Sequence, residues 1–451
     1  MKKRNAGFLC VLAILLLSPL AVFGEGGKET KQETPQAPRS FSWRMEEGKS
    51  INVYLSNWAM TNLVKEKLPE FETKTGIKVN IQNFADSQLD QKLFVELVAK
   101  SKGVDVFQSR PWNQGRKFFR AGYYEDLDPY INNASLTNPD YNFGDFFDWS
   151  KQTSAVEGKR IGITINAATY LLFDREDLVK QHGVTVPGTM EELEQAARKL
   201  TLDTDKDGRT DIFGVTIRGK AGETEAIWGG FLRNLGGRWL DEKRNPDFHS
   251  DIGVKTLALY ADTIRKYGPP GSQNYGWPEV SALMMEGRAA MAIDASPVFA
   301  FLADKNRSKF YQHIKAAPVP KGPNGNIPSV HGWNLNMSAY STQKQAAWLF
   351  MQWYTSKEMY MEAFKRGFPV PRRSAWEQPG ARDVVPDATW YDASLESFKT
   401  GGYYIVPDVV AGDEVRKEIG LAVSKAIEGG DPKALLAEAA KNVKAIMDKT
   451  E

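Results

Sequence analysis

Apolar residues along the chain fall into two alternating rhythms. Ile51-Asn52-Val53-Tyr54-Leu55 alternates with period two and predicts a strand. Val64, Leu68 and Phe71 then mark one face of a helix, which Gly76 ends. Ile77 to Ile81 predicts a second strand, Leu89 to Ala99 a second helix and Val104 to Phe107 a third strand. Strands alternating with helices in this way predict a parallel sheet with crossover helices. Downstream, Ile161 to Ile165 and Tyr170 to Phe173 predict strands, and Met190 to Leu200 a helix. Val254, Leu257, Ala258, Ala261 and Ile264 form another helical stripe. Ala289 to Ile293 reads as a buried strand, and Ile314 to Val319 as a strand entering the turn-rich Pro320 to Pro328. The end is helical over Gln345 to Tyr354, Val415 to Ile427 and Pro432 to Met447, with Asp431 as N-cap and Pro432 at the first helical position.

Ahead of the first strand, the pattern changes. Lys2, Lys3 and Arg4 precede a nearly unbroken apolar run to Phe23, interrupted by Pro19 and followed by small Gly24. This predicts a secretory signal peptide over residues 1–24, with a retained membrane anchor as the alternative. Residues 25–48 hold Gly26-Gly27, Pro35, Pro38 and many polar side chains, and predict a flexible tether. The only cysteine is Cys10, inside the leader, so the remainder has no disulfide or thiol chemistry. Glu25 stands where a bacterial lipid anchor needs a cysteine, so no lipid anchor is expected. The formal charge is +2 and the leader carries three of the basic residues, leaving about −1, which argues against nucleic acid as a partner. The four histidines, His182, His249, His313 and His331, have no zinc-type spacing. Several of the 12 tryptophans sit beside Gly, Ser, Asn or Pro, where loop aromatics meet ligands.

One succession of segments is more specific. The helix ending Leu68-Pro-Glu-Phe-Glu-Thr-Lys-Thr-Gly-Ile-Lys-Val79 is followed by Val104-Asp-Val-Phe-Gln108 and Phe119-Arg-Ala-Gly-Tyr-Tyr-Glu-Asp-Leu-Asp-Pro129. Then come Met285-Glu-Gly-Arg-Ala-Ala-Met-Ala-Ile293, Gly332-Trp333-Asn-Leu-Asn336, Lys344-Gln-Ala-Ala-Trp-Leu-Phe350 and Thr355-Ser-Lys-Glu358. In this order the segments resemble the family 1 extracellular solute-binding proteins of bacterial ABC transporters, the maltose-binding-like sugar receptors. The similarity runs from about Lys49 to the C-terminus.

The resemblance implies an α/β, two-lobed periplasmic-binding-protein fold (type II-like), with a hinge of crossing segments and a ligand cleft between the lobes. It implies one lobe from residues 49–167 plus 316–370 and another from 168–315 plus 371–451. Crossings are expected near Asn166 to Tyr170, Ala316 to Lys321 and Phe368 to Arg372. The implied role is a monomeric, non-catalytic periplasmic receptor that binds a mono- or oligosaccharide and delivers it to permease subunits in the inner membrane.

A sugar site needs an aromatic platform and polar groups for hydroxyls. In open α/β sheets it lies beyond the carboxyl ends of strands. That rule selects Asn57 and Trp58 after the first strand, and Ser109, Arg110, Trp112 and Asn113 after the third. Asn113 falls where maltose-type receptors carry an aspartate, so an identical hydroxyl contact is not implied. Trp228 is either a stacking aromatic or a core residue beside Phe231 and Leu232. Asp294 and Ser296 end the strand begun at Ala289, as hydroxyl ligands or as caps of the next helix. Gly332 permits close backbone approach and Trp333 offers a face, whereas His331 reads as a neutral structural residue. Arg372, after the third crossing, and Tyr404 complete the candidates.

Asp203-Thr-Asp205-Lys-Asp207-Gly208-Arg209-Thr-Asp211 places carboxylates at loop positions one, three, five and nine, Gly at six and the Arg209 carbonyl at seven. This is the spacing of an EF-hand-type loop and predicts a structural calcium ion, although position twelve is Gly214 rather than Glu. The site would otherwise be an acidic turn without metal. Two other functions stay open on the sequence: an exported glycan-acting enzyme, which aromatics with paired carboxylates would also suit, and a receptor for ferric ion or a polyamine.

Overall fold

The computed structural model describes residues 40–451; the expected leader and residues 25–39 of the expected tether lie outside the described residues. The tether expectation needs correction at its end. Phe41, Trp43 and Met45 pack against the core of the first lobe. The Lys74 ammonium lies 4.2 Å from the Trp43 ring, and the Gly48 amide donates to the Gly76 carbonyl. Three apolar side chains at alternate positions find a surface to cover, which outweighs the polar residues between them.

The first sheet has the order Lys78–Phe84, Ser50–Ser56, Val106–Ser109, Asn334–Met337, Ile163–Thr164. Its first three strands are parallel, as the alternation predicts. Asn334–Met337 runs antiparallel to both its neighbours. Helix Ala59–Thr75 ends where Gly76 takes φ +72°, a left-handed conformation that favours glycine. Helix Asp86–Val98 buries Leu89, Leu93 and Leu97 against Tyr54 and Phe107 of the sheet.

The second sheet has the order Ile314–Pro318, Ala168–Arg175, Met291–Ala295, Thr216–Ile217. Ala168–Arg175 is buried throughout and antiparallel to both flanking strands. Only Thr216–Ile217 and Met291–Ala295 pair in parallel. Both sheets are therefore mixed rather than parallel, because apolar alternation sets a strand's face and carries no information on its direction. One face packs on helices Met190–Lys199, Thr224–Asn234, Asp251–Tyr267, Gly412–Ile427 and Pro432–Thr450. Met190–Lys199 starts with a full capping box between Thr189 and Glu192. The other face meets helix Ala388–Thr400, where Trp390 stacks on Phe299.

Three segments join the sheets, and they are bonded side by side. The chain leaves the first sheet at Thr164 and enters the second at Ala168. It returns between Pro318 and Asn334, and on the way Val330–His331 pairs with Ala168 and Thr169. The Ala167 amide donates to Pro369 in the third segment. After that segment, Arg373 still pairs with Asp148 of the first lobe, while Ala388–Thr400 lies on the second sheet. Among the described residues, no helix is long and apolar enough to cross a membrane.

Candidate functional site

Strand ends from both sheets and the middle crossing converge between the lobes. Trp333 lies on the crossing. Its ring meets Trp58 at 4.3 Å between centroids and 74° between planes, and Trp112 at 6.1 Å and 89°. Trp112 also meets His331 edge-on at 5.2 Å, and Tyr170 of the second sheet lies 5.8 Å from His331. The Arg110 guanidinium sits 5.4 Å from the Trp333 ring. An aromatic path thus runs from the first lobe through the hinge to the second; its tryptophan contacts have the edge-to-face geometry that ring quadrupoles favour, and Tyr170 and His331 are tilted by 33°.

Polar groups surround this path. Asp294 is fully buried at the carboxyl end of its strand, and Arg218 donates through Nε to both carboxylate oxygens at 3.1 Å. Arg218 itself follows the end of Thr216–Ile217. Burial works against its charge, but Asp294 outweighs that and holds the guanidinium protonated. Glu225, fully buried in the first turn of its helix, accepts from Arg416 Nε on Oε1 at 2.8 Å, and Arg416 Nη2 lies 2.7 Å from the same oxygen in the ion pair. Arg416 comes from the C-terminal helix pair and also donates to Asn113 Oδ1 of the first lobe at 2.9 Å. Several buried atoms here have no protein partner: Glu225 Oε2, His331 Nδ1, Arg110 Nε and Gln108 Nε2. Buried polar atoms left unpaired are costly, so these are the positions where a solute's hydroxyls would be bound most profitably.

Burial, followed by the charges of Arg218 and Arg416, pushes the His331 imidazole down to about 3. It is therefore neutral at physiological pH, as its sequence context suggests. The depressed value also makes stability depend on pH. Between about 6.5 and 3 the unfolded chain binds a proton that the folded chain refuses, so stability falls as pH falls through that window. At pH 5 the loss is about 2 kcal/mol. Urea unfolding at pH 7 and pH 5 should show it, and His331→Gln should flatten the difference. An unchanged difference in that variant would assign the pH response to other groups.

The structure brings together Trp58, Arg110, Trp112, Asn113, Asp294 and Trp333 from the sequence candidates. It separates the seven others. Ser109 bonds Asn336 Oδ1 at 2.7 Å inside the first sheet. Ser296 Oγ accepts from the Thr169 amide and its carbonyl accepts from Trp390, so it fastens the hinge. Gly332 is small for packing: a Cβ there would lie 2.1 Å from the Asn166 carbonyl oxygen. Trp228 takes its core alternative, packed edge-on against Trp239 and Phe248 in the second lobe. Arg372 is buried inside the first lobe. Tyr404 lies under the Arg233 guanidinium at 4.1 Å, away from the aromatic path. Asn57 is exposed and accepts from Asn83 at 3.0 Å. Sequence reasoning passed over Arg218, which the strand-end rule selects, and Glu225, a carboxylate inside an apolar helix. Arg416 has no local signal, because its role comes from a helix brought back late in the chain.

The profile of the bacterial extracellular solute-binding proteins matches residues 57–361. The chain belongs to that family. It is 31% identical over 223 residues to the mannitol-binding protein of Pseudomonas aeruginosa, a stretch covering 48% of this chain and 50% of that one. It is 25% identical over 409 residues to the erythritol/L-threitol-binding protein of Mycolicibacterium smegmatis, covering 86% of this chain and 83% of the relative. The fold matches an ABC transporter solute-binding protein of Agrobacterium radiobacter K84 in complex with ribitol, at TM-score 0.76 and 24% identity, over 89% of this chain and 99% of that one. The family and these relatives are binding proteins.

Proposed function

We propose that this family member is the receptor of an ABC importer for a small, linear polyol, held between the lobes. The carrying observation is the pair of unpartnered buried atoms on His331 and Arg110 beside the Trp58–Trp112–Trp333 cluster. A polyol presents hydroxyls to such groups and C–H edges to the indoles. Trp58 and Trp333 touch edge-to-face at 4.3 Å between centroids, so a solute meets their outer surfaces rather than lying between them. The mannitol, erythritol and ribitol of the relatives support a linear polyol as that solute. Asp294 and Glu225 are each committed to an arginine, which favours binding over acid–base chemistry and speaks against the hydrolase reading. The reading places the protein in the periplasm, exported by its leader, as a monomer that hands its solute to permease subunits.

A thermal-shift panel tests this. A bound polyol at a hundredfold excess over its Kd stabilises the folded state by about 2.7 kcal/mol and raises the melting temperature. Erythritol, ribitol and mannitol are compared with maltose, ferric ion and spermidine. A shift with maltose, iron or amine and none with any polyol overturns the reading.

We further propose a structural calcium ion at residues 203–211. Oxygens of Asp203, Asp205 and Asp211 lie within 4.8 Å of one another. Asp207 Oδ1 accepts from the Arg209 amide, leaving its other oxygen available. Gly214 is enclosed: a Cβ there would lie 1.8 Å from the Ala197 carbonyl oxygen, so no glutamate fits at position twelve and the missing ligand would be water. EDTA should lower the melting temperature and excess Ca²⁺ restore it. An identical melt with and without chelator argues for a metal-free acidic turn.

A further inference from the structure

Asn113 sits in the turn Pro111–Gly115 that follows the third strand of the first lobe. That turn is held firmly: Gln114 Oε1 accepts from the Arg110 amide at 2.8 Å, and its Nε2 donates to Asp90 at 2.6 Å. Arg416 belongs to helix Gly412–Ile427 of the second lobe, and Glu225 and the Gly222 carbonyl fix its guanidinium. The two lobes meet where Nη1 of Arg416 donates to Oδ1 of Asn113 at 2.9 Å. The approach is close at this point. A Cβ on Gly412 would lie 2.5 Å from the Trp112 carbonyl oxygen, so the helix start fits the turn only as glycine.

We propose that Arg416 and Asn113 form the latch that sets how readily the two lobes close. Arg416 is a positioning residue, acting through lobe geometry. When the lobes part it keeps its pairing with Glu225, and Asn113 exchanges a single charge-assisted hydrogen bond for water. Such a bond is strong enough to bias closure and weak enough to release. Glu225 anchors the latch within the second lobe: its Oε1 holds Arg416, and its Oε2 packs 3.0 Å from where a Cβ on Gly420 would lie. A second contact across the lobes lies at the rim, where Arg116 pairs with Asp408 at 2.6 Å. Asp408 is half-exposed, so salt weakens that contact, whereas the buried latch is screened less.

The inference rests on the two-lobed receptor reading, but its test uses no solute, so failure of one is distinguishable from failure of the other. Spin labels are placed at Val98→Cys in the first lobe and Lys255→Cys in the second, with Cys10→Ser, and the interlobe distance distribution is measured by pulsed electron resonance. Asn113→Asp turns the neutral acceptor into a carboxylate and should raise the closed-to-open ratio about tenfold, while Asn113→Leu should lower it by a similar factor. The Asn113→Asp gain should survive high salt. It should vanish when Glu225→Gln and Arg416→Gln are added together, a pair that removes the guanidinium without stranding the Glu225 carboxylate. Far-UV circular dichroism verifies folding of each variant. Ratios unchanged by both Asn113 substitutions overturn the latch, as does an Asn113→Asp gain that persists without Arg416.

Discussion

Arg372→Ala should cost the protein about 3–5 kcal/mol of stability, the range for breaking a buried charged network from one side. The side chain is 1% exposed and each of its three nitrogens donates. Nε donates to the Thr355 carbonyl at 2.9 Å, Nη2 to the Tyr141 carbonyl at 2.7 Å, and Nη1 to Asn142 and Asp145. The guanidinium also lies 4.3 Å from the Phe146 ring. Truncation leaves three backbone carbonyls and a carboxylate short of donors in a site water reaches poorly. Arg373, next in sequence, is the control. Its pairing with Asp148 is solvent-exposed, so Arg373→Ala should cost under about 1 kcal/mol. Urea unfolding of both variants measures the contrast. Equal losses would mean that Arg372 is not the internal tie of the first lobe.

Trp333→Ala should weaken solute binding by about 2–4 kcal/mol, roughly thirtyfold to a thousandfold, the cost of truncating a central aromatic anchor. Trp333 is the one ring that touches both Trp58 and Trp112, so its loss leaves the other two without a common wall. Its backbone is held independently: its amide donates to Asn166 Oδ1 at 2.8 Å, and its carbonyl accepts from the Ile165 amide. The strand should therefore keep its course without the ring. Isothermal titration with the polyol found in the thermal-shift panel reads the effect. Trp228→Phe, in the second-lobe core, should leave affinity unchanged. A Kd within threefold of the parent for Trp333→Ala would remove the indole cluster from the site.

Much of this was legible because local rules govern it. Strand ends point to the cleft in any open α/β sheet, and that rule, joined by the family resemblance for the segment after the third strand, selected Trp58, Trp112, Asn113 and Asp294, which the fold brings to one region. The aromatic after Gly332 was also found, although the glycine itself serves packing against Asn166 rather than access for solute. Arg372 and Ser296 misled for a shared reason. Arg372 follows a crossing and Ser296 the end of a strand beside one, and a polar residue at either place can face the cleft or fasten the fold; only the neighbours decide. Arg416 was invisible because its partner, Glu225, lies 191 positions away in sequence. Strand direction in the second sheet was likewise beyond reach, since an antiparallel strand buried on both faces reads like a parallel one.

The side-by-side bonding of the three crossings has a kinetic consequence. Ala167 is tied to Pro369, Ala168 and Thr169 to His331 and Val330, and Asn166 to Trp333. Independent linkers would let one lobe swing, twist and slide against the other along separate coordinates. Strands bonded laterally bend together as a ribbon, which is soft across its width and stiff within its plane. The lobes are thereby confined to rotation about one axis, and opening becomes a motion with a single relaxation time rather than a spread of them.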